Sequence, residues 1–146
     1  MNKFIIAGII VLIAITAWYY IRHPIGKRAI INGHEIRLEL AVTDKEKEKG
    51  LGYRDSLPSD TGMLFVYGHP EKYGFWMKGM RFPLDFIWIN GNTVTDISRN
   101  IPQPANDTAQ PVSLAPAAPV DKVLEVNAGV IQSWGIRVGD LVQFVN

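Results

Sequence analysis

The chain has 146 residues, which is enough for one domain of ordinary size. It contains no cysteine, which excludes disulfides within the chain and thiol nucleophiles. Its net charge is +1, but four of the 15 basic residues precede the first acidic one. The part after residue 28 therefore carries 11 basic and 14 acidic residues. This acidic excess argues against nucleic-acid binding, which requires a basic surface.

The first predicted element is an uncharged apolar stretch, FIIAGIIVLIAITAWYYI, at residues 4–21. It is long enough for a membrane-spanning helix, and its final aromatic residues are typical of the headgroup level of a bilayer. A cleaved signal peptide is an alternative, because Ile15 and Ala17 fit the positions before a cut ahead of Trp18; a buried core helix is a third. We expect a single-pass anchor at residues 1–22 that contacts the lipid bilayer through residues 4–21.

The orientation of this anchor is not decided by the flanking charges. Lys3 lies before the apolar stretch, and Arg22, Lys27 and Arg28 lie after it, so the positive-inside rule favours neither direction. Almost no polar segment precedes the stretch, which favours an N-terminus left inside and export of the rest of the chain. We therefore expect a cell-membrane protein whose globular domain lies on the extracytoplasmic side, periplasmic or outer.

A short tether and one domain come after the anchor. Pro24 and Gly26 interrupt helix formation in RHPIGKR, so residues 23–29 are predicted to be a tether. Residues 30–146 are predicted to form a single globular domain that folds without the anchor, since two Asn-Gly hairpin signals and a capped helix fall within this range.

Turn and cap signals place the first elements of the domain. The Asn-Gly pairs at residues 32–33 and 90–91 each lie between strand-like segments and predict two hairpins. In TDKEKEKG, Thr43 and Glu46 have the spacing of a capping box and Gly50 is a typical stop, which predicts a short helix. Its charged residues are interpreted as a solvated face.

The rest of the chain contains several short strand-like segments and one long irregular one. Residues 102–119 hold five of the nine prolines and show no apolar periodicity, so we expect a long loop there. Its segment 103–116 is expected to be mobile relative to the flanking strands. The fold class predicted is mainly β (α+β). It is a compact, largely antiparallel, barrel-like or sandwich-like domain with one or two short helices, preceded by the single N-terminal transmembrane helix.

Most catalytic motifs are absent from the sequence. His23, His34 and His69 are isolated from one another, so no metal site is predicted. No G-x-S-x-G element is present, and KGLGYRD follows a charged helix rather than a strand, which makes it a poor phosphate loop. No cofactor is expected.

The stretch GFWMKGMRFPLDFIWING, residues 74–91, contains the candidate pocket. Alternation in the strands around Pro83 places Trp76, Lys78 and Asp85 along one predicted cavity, with Arg54 brought near by the fold. A buried aspartate requires a partner. The structural alternative is that Asp85 accepts backbone amides, or pairs with one cation, only to fix the register, and that Trp76 is a core residue, as aromatic residues in strands usually are.

The motifs GLGYRDSLPSDTGMLFVY, FWMKGMRFPLDFIWING and VLEVNAG…WGIRVGD, in this order, resemble family 192 of the domains of unknown function. The resemblance covers about residues 30–145 and implies a β-rich prokaryotic domain, often preceded by a signal or membrane segment, without an established activity. Two features depart from the pattern: Gly52 stands where methionine is usual, and residues 102–119 lack the cysteine pair of some relatives. The pattern singles out Gly50, Leu51, Arg54, Leu57, Gly62, Met63, Phe65, Trp76, Met77, Lys78, Pro83, Leu84, Asp85, Leu124, Glu125, Gly129, Gly139 and Asp140.

Three functions are open at this point. The first is a membrane-tethered binding module that holds a small polar ligand or a segment of an envelope protein in a pocket of Arg54, Trp76, Lys78 and Asp85. The second is a structural or assembly protein of the cell envelope without a ligand. The third is an enzyme with Asp85 as acid or base; a lone carboxylate without a second acid, nucleophile or metal makes an enzyme the weakest of the three.

Overall fold

A computed structural model describes residues 27–146, so the predicted membrane anchor and most of the tether lie outside the described part of the chain. No helix within the described range has the length and apolar character that a membrane crossing requires. The range forms a mainly β structure with two short helices, as the sequence predicts. The helices are α1 (Asp44–Lys49) and α2 (Val130–Ser133), and the strands are β1 (Arg28–Ile31), β2 (His34–Ala41), β3 (Thr61–Glu71), β4 (Phe75–Trp76), β5 (Leu84–Asn90), β6 (Thr93–Ile101), β7 (Ser113–Leu114), β8 (Val120–Asn127) and β9 (Val142–Val145).

Seven of the strands form one sheet in the order β6-β5-β8-β3-β2-β1-β9. Neighbouring strands are antiparallel except for β2 and β3, which are parallel and are connected through α1. A bridge between Thr93 and Leu141 joins the two edges of the sheet, and the Val94 amide donates to the Asp140 carbonyl at 2.9 Å beside it. The sheet is therefore a curled half-barrel whose edge strands meet at one end.

Both predicted hairpins are present. Asn32 and Gly33 have φ angles of 51° and 80° between β1 and β2, which is the left-handed backbone that a tight two-residue turn requires and that Asn-Gly supplies. Gly91 has a φ of 60° between β5 and β6. The second hairpin turns at Gly91 and Asn92, one residue later than the sequence signal, because Asn90 still pairs with Thr93 in the ladder.

The capping box of α1 is also present. The Thr43 hydroxyl accepts from the Glu46 amide, and the Glu46 carboxylate accepts from the Thr43 amide at 2.8 Å. Gly50 ends the helix with a φ of 49°. With six residues and no buried side chain, α1 relies on these caps and on the sheet beneath it rather than on its own propensity.

The sheet separates two cores. The inner core lies on the face shared by all seven strands and includes Ile87 and Ile89 of β5, with Ile131 of α2 against it. The outer core lies on the opposite face and includes Phe86 and Trp88, the alternate residues of the same strand. Because β5 is buried on both faces, it lacks the polar alternation of a surface strand.

The predicted long loop is partly structured. Strand β7 lies within it and pairs with β4, with Phe75 opposite Leu114 and Trp76 opposite Ser113, and the Met77 amide donates to the Val112 carbonyl at 2.9 Å. Phe75 and Leu114 pack on the outer core. The sequence does not reveal this pairing because each strand has two residues, too few to show a period, and the partners are far apart in the chain.

Candidate functional site

Asp85 lies in the core of the domain. It is fully buried, and its two carboxylate oxygens accept from the backbone amides of Asn100 at 2.7 Å and Ile131 at 2.9 Å. It shares the inner-core face of β5 with Ile87 and Ile89, because side chains alternate along a strand. Asp85 thus ties β5 to β6 and to α2, and it lines neither of the cavities that contain Trp76 and Lys78.

Arg54 is also occupied by a partner. Its guanidinium makes two hydrogen bonds to the Glu39 carboxylate, at 3.1 and 2.7 Å, and this interaction raises the pKa of Arg54. The pair attaches the segment after α1 to strand β2. The structure does not bring Arg54 into the cavities that contain Trp76 and Lys78.

Trp76 and Lys78 do lie together. The Lys78 ammonium is 5.1 Å from the centre of the Trp76 ring, a distance typical of a cation–π contact. Trp76 is 52% exposed, which is unusual for a large aromatic residue in a strand. Both side chains line two adjoining cavities beneath and beside α1.

The first of these, the Glu125 cavity, is a space of about 80 Å³ between α1, the turn at residues 50–52 and the outer core. The turn lies close to other backbone: a Cβ on Gly52 would be 3.1 Å from the Lys49 carbonyl oxygen and 3.4 Å from the Lys78 carbonyl oxygen. The cavity is lined by Lys47, Lys49, Phe65, Phe75, Trp76 and Glu125, among others.

Glu125 lines the cavity but is not among the pocket residues predicted from the sequence. It lies in β8 on the outer-core face, opposite Met63 of β3 and Phe86 of β5, and it is only 5% exposed. Its carboxyl forms no hydrogen bond or ion pair with any residue in the range 27–146. Every fully buried polar side-chain atom of that range has a partner, so the unpartnered carboxyl of Glu125 must be accessible from the cavity.

Burial decides the protonation state of Glu125. It raises the pKa of this carboxyl from 4.5 to about 8, and it is the single cause of the shift. In such a site a carboxylate loses its hydrogen bonds from water, and its charged form is destabilised when no protein donor replaces them. At neutral pH the Glu125 carboxyl is therefore mainly protonated and can donate a hydrogen bond.

A lysine and a tyrosine form one wall of the cavity. The Lys47 ammonium lies 4.3 Å above the centre of the Tyr67 ring, and burial lowers the pKa of Lys47 against the opposing effects of Asp44 and Glu46. Burial is also the main reason that the pKa of Tyr67 is raised. Burial thus disfavours the charged form of each group, the ammonium of Lys47 and the phenolate of Tyr67.

The second space, the outer groove, has a volume of about 300 Å³ and is lined by Lys45, Glu48, Lys49, Tyr53, Trp76 and Lys78. Tyr53 is 67% exposed and has a φ of 65°. Its amide donates to the Gly79 carbonyl at 2.7 Å, and its ring lies so close to Gly79 that a Cβ there would be 2.8 Å away.

The two spaces share four lining residues, Glu48, Lys49, Trp76 and Lys78, so they form one site with a narrow inner part and a wide outer part. Lysines 45, 47, 49 and 78 surround it without an ion pair to any described residue. No group of three or more metal-ligating side chains occurs within residues 27–146. The arrangement is suited to binding a small group beside Glu125 with the rest of a ligand in the groove.

Comparison with known proteins identifies relatives but no activity. The model of the family described as DUF192, uncharacterised, matches residues 27–144. A crystal structure of a protein of unknown function from Novosphingobium aromaticivorans is 33% identical with a TM-score of 0.72, and the match covers 80% of this chain and 84% of the other. A candidate transcription regulator from Sinorhizobium meliloti is 33% identical with a TM-score of 0.70, covering 80% of this chain and 90% of the other. No curated protein matches.

Proposed function

We propose that this chain, which belongs to the DUF192 family, is a binding module for a small polar ligand or for a polar side chain of a partner segment. Its site is the Glu125 cavity together with the outer groove. The observation that carries the proposal is the Glu125 carboxyl, which is 5% exposed, lacks a protein partner among residues 27–146, and is accessible from a cavity.

The two buried carboxyl groups, Asp85 and Glu125, differ in their partners, which indicates a structural role for the first and a binding role for the second. Asp85 has both oxygens bonded to backbone amides of other elements, so its burial is compensated by the fold. Glu125 has no such compensation, and its burial destabilises the charged form. Groups kept at the expense of stability are typical of functional sites.

The shape of the site limits what binds. About 80 Å³ beside Glu125 admits a group of a few atoms, whereas the outer groove of about 300 Å³ admits a larger part. The exposed rings of Trp76 and Tyr53 offer flat apolar surface at the groove, and aromatic walls with a few fixed polar groups are the usual composition of a ligand site.

The charge of the domain does not favour DNA as the partner. Although one structural relative is described as a candidate transcription regulator, residues after 28 carry more acidic than basic side chains. A duplex is bound through an extended basic surface, whereas the unpaired lysines here surround one small site.

We expect small polar compounds to bind at residues 50–52. The measurement is an NMR screen of the full-length, ¹⁵N-labelled protein in detergent micelles against amino acids, sugars and short carboxylic acids. Compounds that bind should shift the amides of Gly50, Leu51 and Gly52, and Trp76→Ala and Glu125→Ala should each weaken binding at least about tenfold. Arg37→Gln is the control, because Arg37 forms an exposed ion pair with Asp60 and lines neither space of the site. A screen without any compound that shifts these amides would contradict the proposal.

We also propose that the module is membrane-tethered and extracytoplasmic. The support is the 18-residue uncharged stretch at residues 4–21, which meets the length for a spanning helix. After a high-salt wash the full-length protein should stay with the membrane fraction, and protease added to intact spheroplasts should digest it. Release by salt, or protection from the protease until the cells are lysed, would count against the tether and the orientation respectively.

A further inference from the structure

We infer that the inner part of the site takes an anionic oxygen group of the ligand, a carboxylate or a phosphate, with the Glu125 carboxyl as its hydrogen-bonding partner and the lysines at the rim as counter-charges. This inference rests on the proposed function and specifies the chemistry of its ligand. The charged residues that line the cavity support it, as does the absence of an ion pair between Glu125 and these lysines within residues 27–146.

Three elements contribute the charged and titratable groups that line the cavity with Glu125, whereas β5, which pairs with β8 at Glu125, contributes none. Helix α1 contributes two cations and one anion, β3 contributes a tyrosine, and the segment after β4 contributes a cation: Lys47, Glu48, Lys49, Tyr67 and Lys78. Three ammonium groups against one exposed carboxylate leave the lining of the cavity positive when Glu125 is neutral, and Asp44 and Glu46, which act on Lys47, are not among the lining residues. A positive cavity with aromatic walls attracts an anion, and the exclusion of water strengthens that attraction.

The lysine charges do not neutralise Glu125 itself. A cation at contact distance would lower the pKa of a carboxyl, yet burial alone accounts for the raised pKa of Glu125. The ammonium groups of Lys47 and Lys78 rest instead near the rings of Tyr67 and Trp76, 4.3 and 5.1 Å from their centres. The cavity of about 80 Å³, which Glu125 and the lysines line, is large enough for a carboxylate or phosphate group.

The protonation state of Glu125 then determines which ligand charge is accepted. A protonated carboxyl donates its O–H to an anionic oxygen, whereas an ionised one repels it. A ligand ammonium group would need Glu125 ionised and would also face the three lysines. With a pKa of about 8 for Glu125, an anion should bind most tightly below pH 8 and progressively more weakly above it.

Three probes of similar size and different charge test the inference: acetate, acetamide and ethylammonium. Each is titrated into the full-length ¹⁵N-labelled protein in micelles of uncharged detergent at constant ionic strength, and the amides of residues 50–52 are followed. Acetate keeps its charge between pH 6 and 9, and we expect its Kd to be about tenfold higher at pH 9 than at pH 6, as ionisation of a group with a pKa of about 8 requires. Acetamide and ethylammonium should bind more weakly than acetate at pH 6.

Two variants and one further anion sharpen the result. Glu125→Gln keeps an N–H donor and cannot ionise, so it should bind acetate without the pH dependence. Lys78→Met should weaken acetate binding several-fold, whereas Lys72→Met, an exposed lysine outside both spaces, should not. Inorganic phosphate at pH 6 is compared with acetate, and the tighter of the two identifies the anionic group.

The outcomes separate this inference from the proposed function. Acetate affinity that increases with pH, or ethylammonium bound in preference to acetate at residues 50–52, would overturn the anionic ligand while leaving a binding site at Glu125. Acetamide bound as tightly as acetate would do the same. If no probe or anion shifts these amides in the wild-type protein, the inference is overturned, and the broader screen then decides the proposed function alone.

Discussion

Replacing Asp85 by alanine is expected to lower the free energy of unfolding by about 2 to 4 kcal/mol, because it leaves one buried amide donor without an acceptor, at about 1 to 3 kcal/mol, and removes a second, partly buried hydrogen bond worth about 1 kcal/mol. The donors belong to Asn100 and Ile131, which lie in β6 and α2. The loss should therefore also loosen α2 against the inner core. Asp85→Asn keeps one acceptor oxygen and should cost less, about 1 to 3 kcal/mol.

The measurement is the denaturant midpoint of each variant, with Lys78→Met and the Asp85→Asn, Lys78→Met double variant as controls. The Lys78 ammonium lies near Trp76 and not near Asp85, so the two substitutions should be additive within about 0.5 kcal/mol. A double variant more stable than Asp85→Asn alone would mean that the two residues form a structural ion pair after all.

Replacing Glu125 by glutamine is expected to increase stability at alkaline pH. A carboxyl with a pKa raised from 4.5 to about 8 in the folded state binds a proton that the unfolded chain has already released. The wild-type protein should therefore lose stability as pH rises from 4.5 to 8, by about 1.4 kcal/mol per pH unit and by up to about 5 kcal/mol in total. Below pH 4.5 both states are protonated and this contribution does not change.

Glutamine cannot ionise, so the difference in unfolding free energy between Glu125→Gln and wild type should increase with pH across this window and level off above pH 8. Unfolding curves at pH 4.5, 6, 7 and 8.5 would show it, and subtraction of the two proteins removes the effect of every other titrating group. Glu48→Gln is the matched control, because it removes an exposed carboxyl at the rim of the same site and leaves the one inside the cavity. A flat difference for Glu125→Gln would mean that its carboxyl has a partner in the folded protein.

The local elements of the fold could be predicted because their signals are local. The turn at Asn32 and Gly33 depends on two adjacent residues that tolerate a left-handed backbone, and the cap of α1 depends on Thr43 and Glu46, three residues apart. Neither requires information from a distant part of the chain. The mainly β class is the result of many such short signals.

The candidate site was less predictable because it depends on tertiary contacts. Alternation in the sequence suggests one cavity for Trp76, Lys78 and Asp85, but β4 ends at Trp76 and the turns before β5 place Asp85 in the opposite layer. The partners of Asp85 are backbone amides, which no side-chain pattern reveals.

Glu125 did carry a signal in the sequence. It lies between Leu124 and Val126 in a strand whose central residues are all buried, so a charged residue there is exceptional. It also belongs to the set that the family resemblance singles out. The absence of a partner for its carboxyl could not be predicted, because it depends on how α1 and residues 50–52 cover that face of the sheet.

The order of the sheet has a consequence for how the protein is made. Strand β1 is the first strand of the domain, yet its outer neighbour is β9, the last. While the polypeptide is still emerging, one side of β1 therefore remains an open edge, and the bridge from Thr93 to Leu141 that joins the sheet's edges cannot form either. Open strand edges are where nascent proteins pair with the wrong partner. The nascent chain is therefore prone to wrong strand pairing at β1 until β9 is available, and a chaperone would be most useful before that point.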